Sequence, residues 1–271
     1  SIFSPKPSNS ALEIIRSVIG ELTAQGADPS DIIVHTDETS IPKLNKSLGD
    51  KQANISRIEK PTKIIGNVDG VEIKIPKTLQ EAKSRVIITD TGFDPLFGFS
   101  GGPASLVRYF AGDAIAEAFR RRKNNYPSPG EETASSLFAN EFADFLNESV
   151  SIEILPSKEG ISGIHCGNLI DAHTSASKQL LDTSRVSMKR DIHALIVSTA
   201  GDGSDSTLAD GLKAVWNVVG GMKDKGHLTL IAECSDGLGS EALKMYVSDR
   251  LDVKNLLKRG KYIEGLEDLV Y

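Results

Sequence analysis

Short apolar runs alternate along the chain with longer segments in which apolar residues recur every three or four positions, predicting strands and helices in turn. Leu12, Ile15, Ile19 and Leu22 fall at helical spacing up to Gly26, and Ser10 followed by Glu13 has the spacing of a capping box at its start. Residues 31–34 predict a short strand delivering His35-Thr-Asp-Glu-Thr-Ser40, a polar cluster that is either a site or a turn; 40–49 read as a helix interrupted by Pro42. Residues 71–75 and 150–154 alternate as half-buried strands do. Residues 78–83 predict a short helix, 85–89 a buried strand, and 160–167 a hairpin return. A helix over 132–147 sets Phe138, Phe142 and Phe145 on one face, and another helix covers 171–181. The final third reads strand, helix, strand, helix at 192–198, 208–219, 227–232 and 240–250. Strands alternating with helices predict an α/β protein. The expected division is into two α/β lobes, 1–181 and 182–271, with a cleft between them.

Three glycine-bearing loops follow predicted strands. The first lies in residues 92–106 and carries Gly98-Phe-Ser-Gly-Gly102, before a helix expected over 105–123. The second is Thr199-Ala-Gly-Asp-Gly-Ser-Asp-Ser-Thr-Leu-Ala-Asp-Gly-Leu-Lys213, and the third is Cys234-Ser-Asp-Gly-Leu-Gly239. Strand, small polar loop and helix is the arrangement in which open α/β sheets place ligand sites. Glycine lets backbone approach a ligand, and the helix start offers free N–H groups to an anion. The plainer reading is a capped connection, since Ser204, Asp205, Ser206 and Thr207 are all good N-caps.

Composition narrows the function classes. A net charge of −6 gives no pull toward nucleic acid or anionic membrane, and the basic run Arg120-Arg-Arg-Lys123 reads as a solvated helix end. No apolar run approaches the roughly 20 residues of a membrane span. The start of the sequence does not read as a signal peptide. Cys166 and Cys234 lie far apart without CxxC spacing, and the five histidines show no paired ligand spacing. No structural zinc site is expected, and a reducing cytoplasm is the expected setting.

The three loops, together with Gly167 and Ala172-His173, resemble in order and spacing the nickel-pincer lactate racemase family over roughly residues 4–250. The resemblance implies two α/β domains with a site between them, holding a nicotinate-derived nickel pincer attached to a lysine after the Ser-Gly-Gly turn. It implies hydride transfer from and to the α-carbon of a 2-hydroxy acid. Residue by residue, most of that apparatus is absent. The lysine falls on Ala104, a catalytic histidine on Asp94, the nickel-ligand histidine near Arg120, and the other catalytic histidine near Glu38. The family's Thr-Arg-Pro-Thr-Pro falls on Phe3-Ser-Pro-Lys-Pro7, without its arginine; the family's glutamine falls on Asp210, and only Lys213 agrees. The chain also begins where the family has further strands. A nickel centre needs imidazole or thiolate donors, so no nickel pincer and no other cofactor is expected here.

The leading expectation is therefore a small-anion site, for a carboxylate or phosphate, with Ser100, Gly101, Gly102, His173, Asp205 and Asp236 as binding residues. Lys213 would pair a carboxylate, and Asp94 with Asp210 would form an acid/base pair. Against these stand plainer readings: Asp94 before Pro95 as a turn initiator, Lys213 as a solvated helix residue, His173 as a core histidine. Two further expectations are a non-catalytic binding or regulatory subunit using Phe93, Phe97 and Phe99 as anchors, and surviving nickel chemistry with His35, His165 and His173 as donors. A homo-oligomer is also an expectation.

Overall fold

The computed structural model describes residues 1–49, 53–111, 114–121, 127–146, 148–187, 192–199, 205–259 and 261–269. Contacts divide the chain into two compact units: Ser1–Gly92, Phe99–Ala118 and Ser136–Ser184 form unit 1, and Phe93–Gly98, Phe119–Ser135 and Arg185–Tyr271 form unit 2.

Unit 1 begins with β1 (Ile2–Phe3), α1 (Asn9–Ala24), β2 (Ile33–Thr36), α2 (Ile41–Leu48) and β3 (Asn54–Arg57). A hairpin of β4 (Lys63–Val68) and β5 (Val71–Ile75), then α3 (Lys77–Glu81), lead to β6 (Val86–Asp90). The chain passes through β7 (Phe93–Asp94) and β8 (Gly98–Phe99) into α4 (Gly102–Phe110), α5 (Ala114–Arg121) and α6 (Ala134–Asp144). It then adds β9 (Val150–Ser157), β10 (Gly160–Asn168) and α7 (Leu169–Ser184).

These strands make a six-stranded sheet in the order β10-β9-β6-β1-β2-β3, parallel except for the antiparallel β9–β10 pair. The chain winds outward from β1 to β3, then resumes on the other side with β6, so β1 and β6 flank a topological switch point. One face packs Ile2, Val34, Ile88 and Ile154 against Ala11, Leu12, Ile15 and Ile19 of α1 and Leu44 and Leu48 of α2. On the other face Phe3 stacks on His35 at 4.5 Å and meets Phe110 of α4 edge-on at 5.8 Å. A parallel sheet covered on both faces reads as continuous apolar runs, which is why β2 and β6 were legible, whereas the two-residue β1 was not.

In unit 2, β11 (Ile192–Ser198) pairs in parallel with β12 (Met222–Ile231), and α8 (Leu208–Val219) lies between them in sequence. Gly211 of α8 sits against Ala232 and Leu230, close enough that a Cβ there would be 3.2 Å from Ala232 Cβ. α9 (Glu241–Val247) and α10 (Val253–Arg259) follow. Trp216 is buried and donates its indole N–H to Pro127 O at 3.1 Å.

Several predicted boundaries move for identifiable reasons. Ser8, not Ser10, caps α1: its hydroxyl accepts from Ala11 N and donates to Asp90. β2 starts two residues later than expected, placing His35 and Thr36 inside the strand, and the remainder of that polar cluster is a turn around Asp37. Pro42 does not interrupt α2 but occupies its first turn, where a missing N–H costs nothing. The helix expected over 105–123 is two helices, α4 and α5. Phe138 and Phe142 are core, whereas Phe145 lies past α6 with its ring against Gly66, where a Cβ would overlap it. Strands β3 and β4 escaped prediction because their half-exposed, polar sequences lack an apolar run. Among the described residues no helix is long and apolar enough to cross a membrane.

His35 is 2% exposed and neither ring nitrogen has a hydrogen-bond partner among the described residues. Burial, with the chain's N-terminal charge adding to it, pushes the imidazole down to about 4. The folded pKa lies below the unfolded one, so the unfolded state gains protons first as pH falls. Stability should drop between roughly pH 6.5 and 4 by about 3 kcal/mol and level off below that. His35→Phe keeps a ring on Phe3 and removes the titration. Urea unfolding at pH 7.5 and 4.5 should show the variant gaining on the wild type at the lower pH; an unchanged difference would refute the assignment.

Candidate functional site

The site grows from two adjacent strands of unit 1. Thr89 on β6 lies in register with Glu153 on β9, and Ile87 with Ser151, so strand alternation puts Thr89, Ser151 and Glu153 on one face. Glu153 is fully buried. Its Oε1 accepts from Thr89 at 3.0 Å and Ser151 at 2.7 Å, and its Oε2 accepts from Thr91 at 2.8 Å. A buried carboxylate costs several kcal/mol unless its oxygens are satisfied, and three hydroxyl donors supply that compensation.

The same cluster holds the glycine turn. Thr89 Oγ1 accepts the Gly102 N–H at 2.9 Å while donating to Glu153. Gly101 has φ +96°, and a Cβ there would lie 2.5 Å from Glu153 Oε2. At Gly102, φ +35°, a Cβ would lie 2.9 Å from His173 Cβ. Both glycines are thus required by conformation and by closeness. His173, on α7, brings Nδ1 to 3.6 Å from Glu153 Oε2; that nitrogen is buried without a hydrogen-bond partner among the described residues, and Phe99 meets the ring edge-on at 6.4 Å.

The turn opens α4 without a side-chain cap. Of its first amides, Thr89 takes Gly102's, Pro103 has none, and Ser105's goes to Gly101 O. The N–H groups of Gly101 and Ala104 have no acceptor among the described residues, nor does the Ser100 hydroxyl, although Gly101 and Ala104 are buried. Uncapped amides at a helix start are the standard seat for an anion.

Beside the turn, Asp90 at the end of β6 accepts from Ser8 N at 3.2 Å and Ser8 Oγ at 2.8 Å, across the switch point. Burial raises the Asp90 carboxyl above the usual carboxylate range and the nearby Glu153 charge adds to this, while the Ser8 bonds and Lys43 oppose it.

Ser100, Gly101, Gly102 and His173 therefore form one group in unit 1. The other expected residues belong to unit 2, where they serve turns and caps. Asp94 Oδ1 accepts from Leu96 N at 2.8 Å and Phe97 N at 3.0 Å, the turn-initiating role. Asp210 accepts from the N-cap Thr207 at 2.6 Å and from Lys213 at 2.9 Å. Asp205 is buried and ties the ends of β11 and β12, accepting from the Thr199 hydroxyl and from Glu233 N at 3.0 Å. Asp236 is exposed, its N–H donated to Ser206 O at 2.7 Å. Residues 200–204 lie outside the described residues. Ser151 and Glu153 were missed because a strand alternating Ser and Glu with isoleucine reads as half solvated, and Thr89 and Thr91 because threonine fits a strand and its end without a ligand; the signal was present in the Glu between two isoleucines of Val150-Ser-Ile-Glu-Ile154.

The residues at the pincer positions do not fit that group. Ala104, where the covalent lysine would stand, is buried and offers only a methyl. Asp94, in place of a histidine, has one oxygen committed to two backbone amides, and Arg120 carries no donor lone pair for a metal.

No protein-family model and no curated protein matches the sequence. Solved structures do. The lactate racemase apoprotein from Thermoanaerobacterium thermosaccharolyticum superimposes with a TM-score of 0.80 over 99% of this chain and 71% of that one, at 18% identity. The fold is that of the lactate racemase apoprotein. A crystal structure of a Thermotoga maritima protein matches with a TM-score of 0.69 at 12% identity, covering 99% of this chain and 76% of that one. At such identities the likeness carries the backbone and not the chemistry.

The geometry orders three substitutions by cost. Thr89→Val strips a hydrogen bond from both buried Glu153 and Gly102 N–H and should cost about 2 kcal/mol. Thr207→Ala should cost about 1 kcal/mol as a lost cap, and Lys213→Ala, an exposed pair, at most about 0.5 kcal/mol. Urea denaturation of the three variants checks the order; Lys213→Ala costing most would contradict it.

Proposed function

We propose that the chain binds a small anionic molecule, a carboxylate or a phosphate, at the Ser100-Gly101-Gly102 turn of unit 1, without nickel-pincer chemistry. One observation carries this reading: the buried N–H groups of Gly101 and Ala104 have no acceptor among the described residues. Buried amides are almost always satisfied, and an anion at a helix start satisfies two at once with help from the helix dipole. The Ser100 hydroxyl supplies a third donor, and the His173 ring stands over Gly102 as the neighbouring wall. The location supports it as well, since Gly101 packs against the end of β6, where a Cβ would lie 3.1 Å from Asp90 O, beside the switch point at which open α/β sheets take ligands. The Thermoanaerobacterium neighbour is by name a lactate racemase, and lactate is a small carboxylate.

Thermal unfolding in the presence of inorganic phosphate and of lactate tests the reading. One of them should raise the melting temperature in proportion to the logarithm of its concentration once above the dissociation constant. Ser100→Ala should reduce that rise and leave the ligand-free protein's melting temperature nearly unchanged. Identical melting with and without both anions would overturn the proposal.

A further inference from the structure

The sheet of unit 1 ends in two unlike edges. At one, β3 is four residues long and carries Arg57, paired with Glu38 at 2.8 Å. Shortness and charge are the usual defences that keep an edge strand from recruiting another strand. At the other edge β10 runs nine residues, Gly160–Asn168, and contains no Asp, Glu, Lys, Arg or Pro in a chain that is 25% charged. Alternate residues along it are exposed, among them Cys166 and Ile164, the latter 46% exposed. Its one irregularity is a register shift between Ile161 and Gly163, close to the hairpin turn, which leaves 163–168 as regular edge.

We propose that β10 is a dimerisation edge, onto which a second copy of this chain adds its own β10. A two-fold axis normal to the sheet brings the strand against itself in antiparallel orientation and joins two six-stranded sheets into one. The missing charges select this occupant. Self-pairing across a two-fold axis sets like residues near one another, which a charged strand resists and an uncharged one permits. A foreign strand would be chosen by complementary charge, and β10 offers none to read. The pair is closed, because the opposite edge is guarded by β3, so growth stops at two copies. A strand-edge contact of this length lies at or below the low end of specific interfaces, about 1,200 Å², which sets a dimer that dissociates on dilution.

Sedimentation velocity of the full chain over a dilution series tests this. A dimer should form at high micromolar concentration and dissociate on dilution. Ile164→Lys and, separately, Cys166→Glu should each raise the dissociation constant by about tenfold or more through like charges facing across the axis. Both residues are exposed, so circular dichroism and melting temperature should stay at wild-type values. A monomer at every concentration, or a dimer that neither substitution weakens, would overturn the proposal.

Discussion

A buried carboxylate cannot be left to itself, and in unit 1 the satisfaction of Glu153 organises everything around it. Its oxygens draw in the hydroxyls of Thr89, Thr91 and Ser151, which ties β6 to β9 on the side of the sheet away from α1. Thr89 then passes the constraint on by accepting the Gly102 amide, which fixes where α4 begins. The closeness of that packing leaves no room for a Cβ at Gly101, and the approach of α7 leaves none at Gly102. A glycine pair that reads in sequence as a ligand loop is thus required twice over by packing. What packing does not explain is the amides of Gly101 and Ala104, which have no acceptor among the described residues, and the functional reading rests on those.

The sequence revealed elements that carry a continuous or periodic apolar pattern and hid those too short or too polar to show one. β11 and α8 fall where the apolar pattern places them, at Ile192–Ser198 and Leu208–Val219. The edge strand β3, with exposed ends at Asn54 and Arg57, carries too little apolar signal to be seen. Periodicity also misled about polarity: Ser151 and Glu153 alternate with isoleucine as a solvated face would, yet helices cover that face. Alternation reports that two faces differ, not that one of them is wet.

The candidate site was legible in part for the same reason. Ser100, Gly101, Gly102 and His173 stand out by residue type and do gather. Asp94, Asp205 and Asp210 stand out equally, and each has ordinary work in a turn or at an element end. Short acidic side chains are good both at chemistry and at capping, and only geometry separates the two uses. The backbone agreement with a lactate racemase at 18% identity shows how far a fold persists while the sequence diverges.

An anion that closed the hydrogen bonds at the start of α4 would perturb the very amides it accepts from. Amide nitrogen and proton shifts, followed by NMR while inorganic phosphate or lactate is added, report on individual N–H groups. Gly101 and Ala104 should move first and furthest, downfield as an acceptor arrives, with Ser100 close behind. Saturable shifts centred on other residues, or none at Gly101 and Ala104 with either anion, would contradict anion binding at this turn.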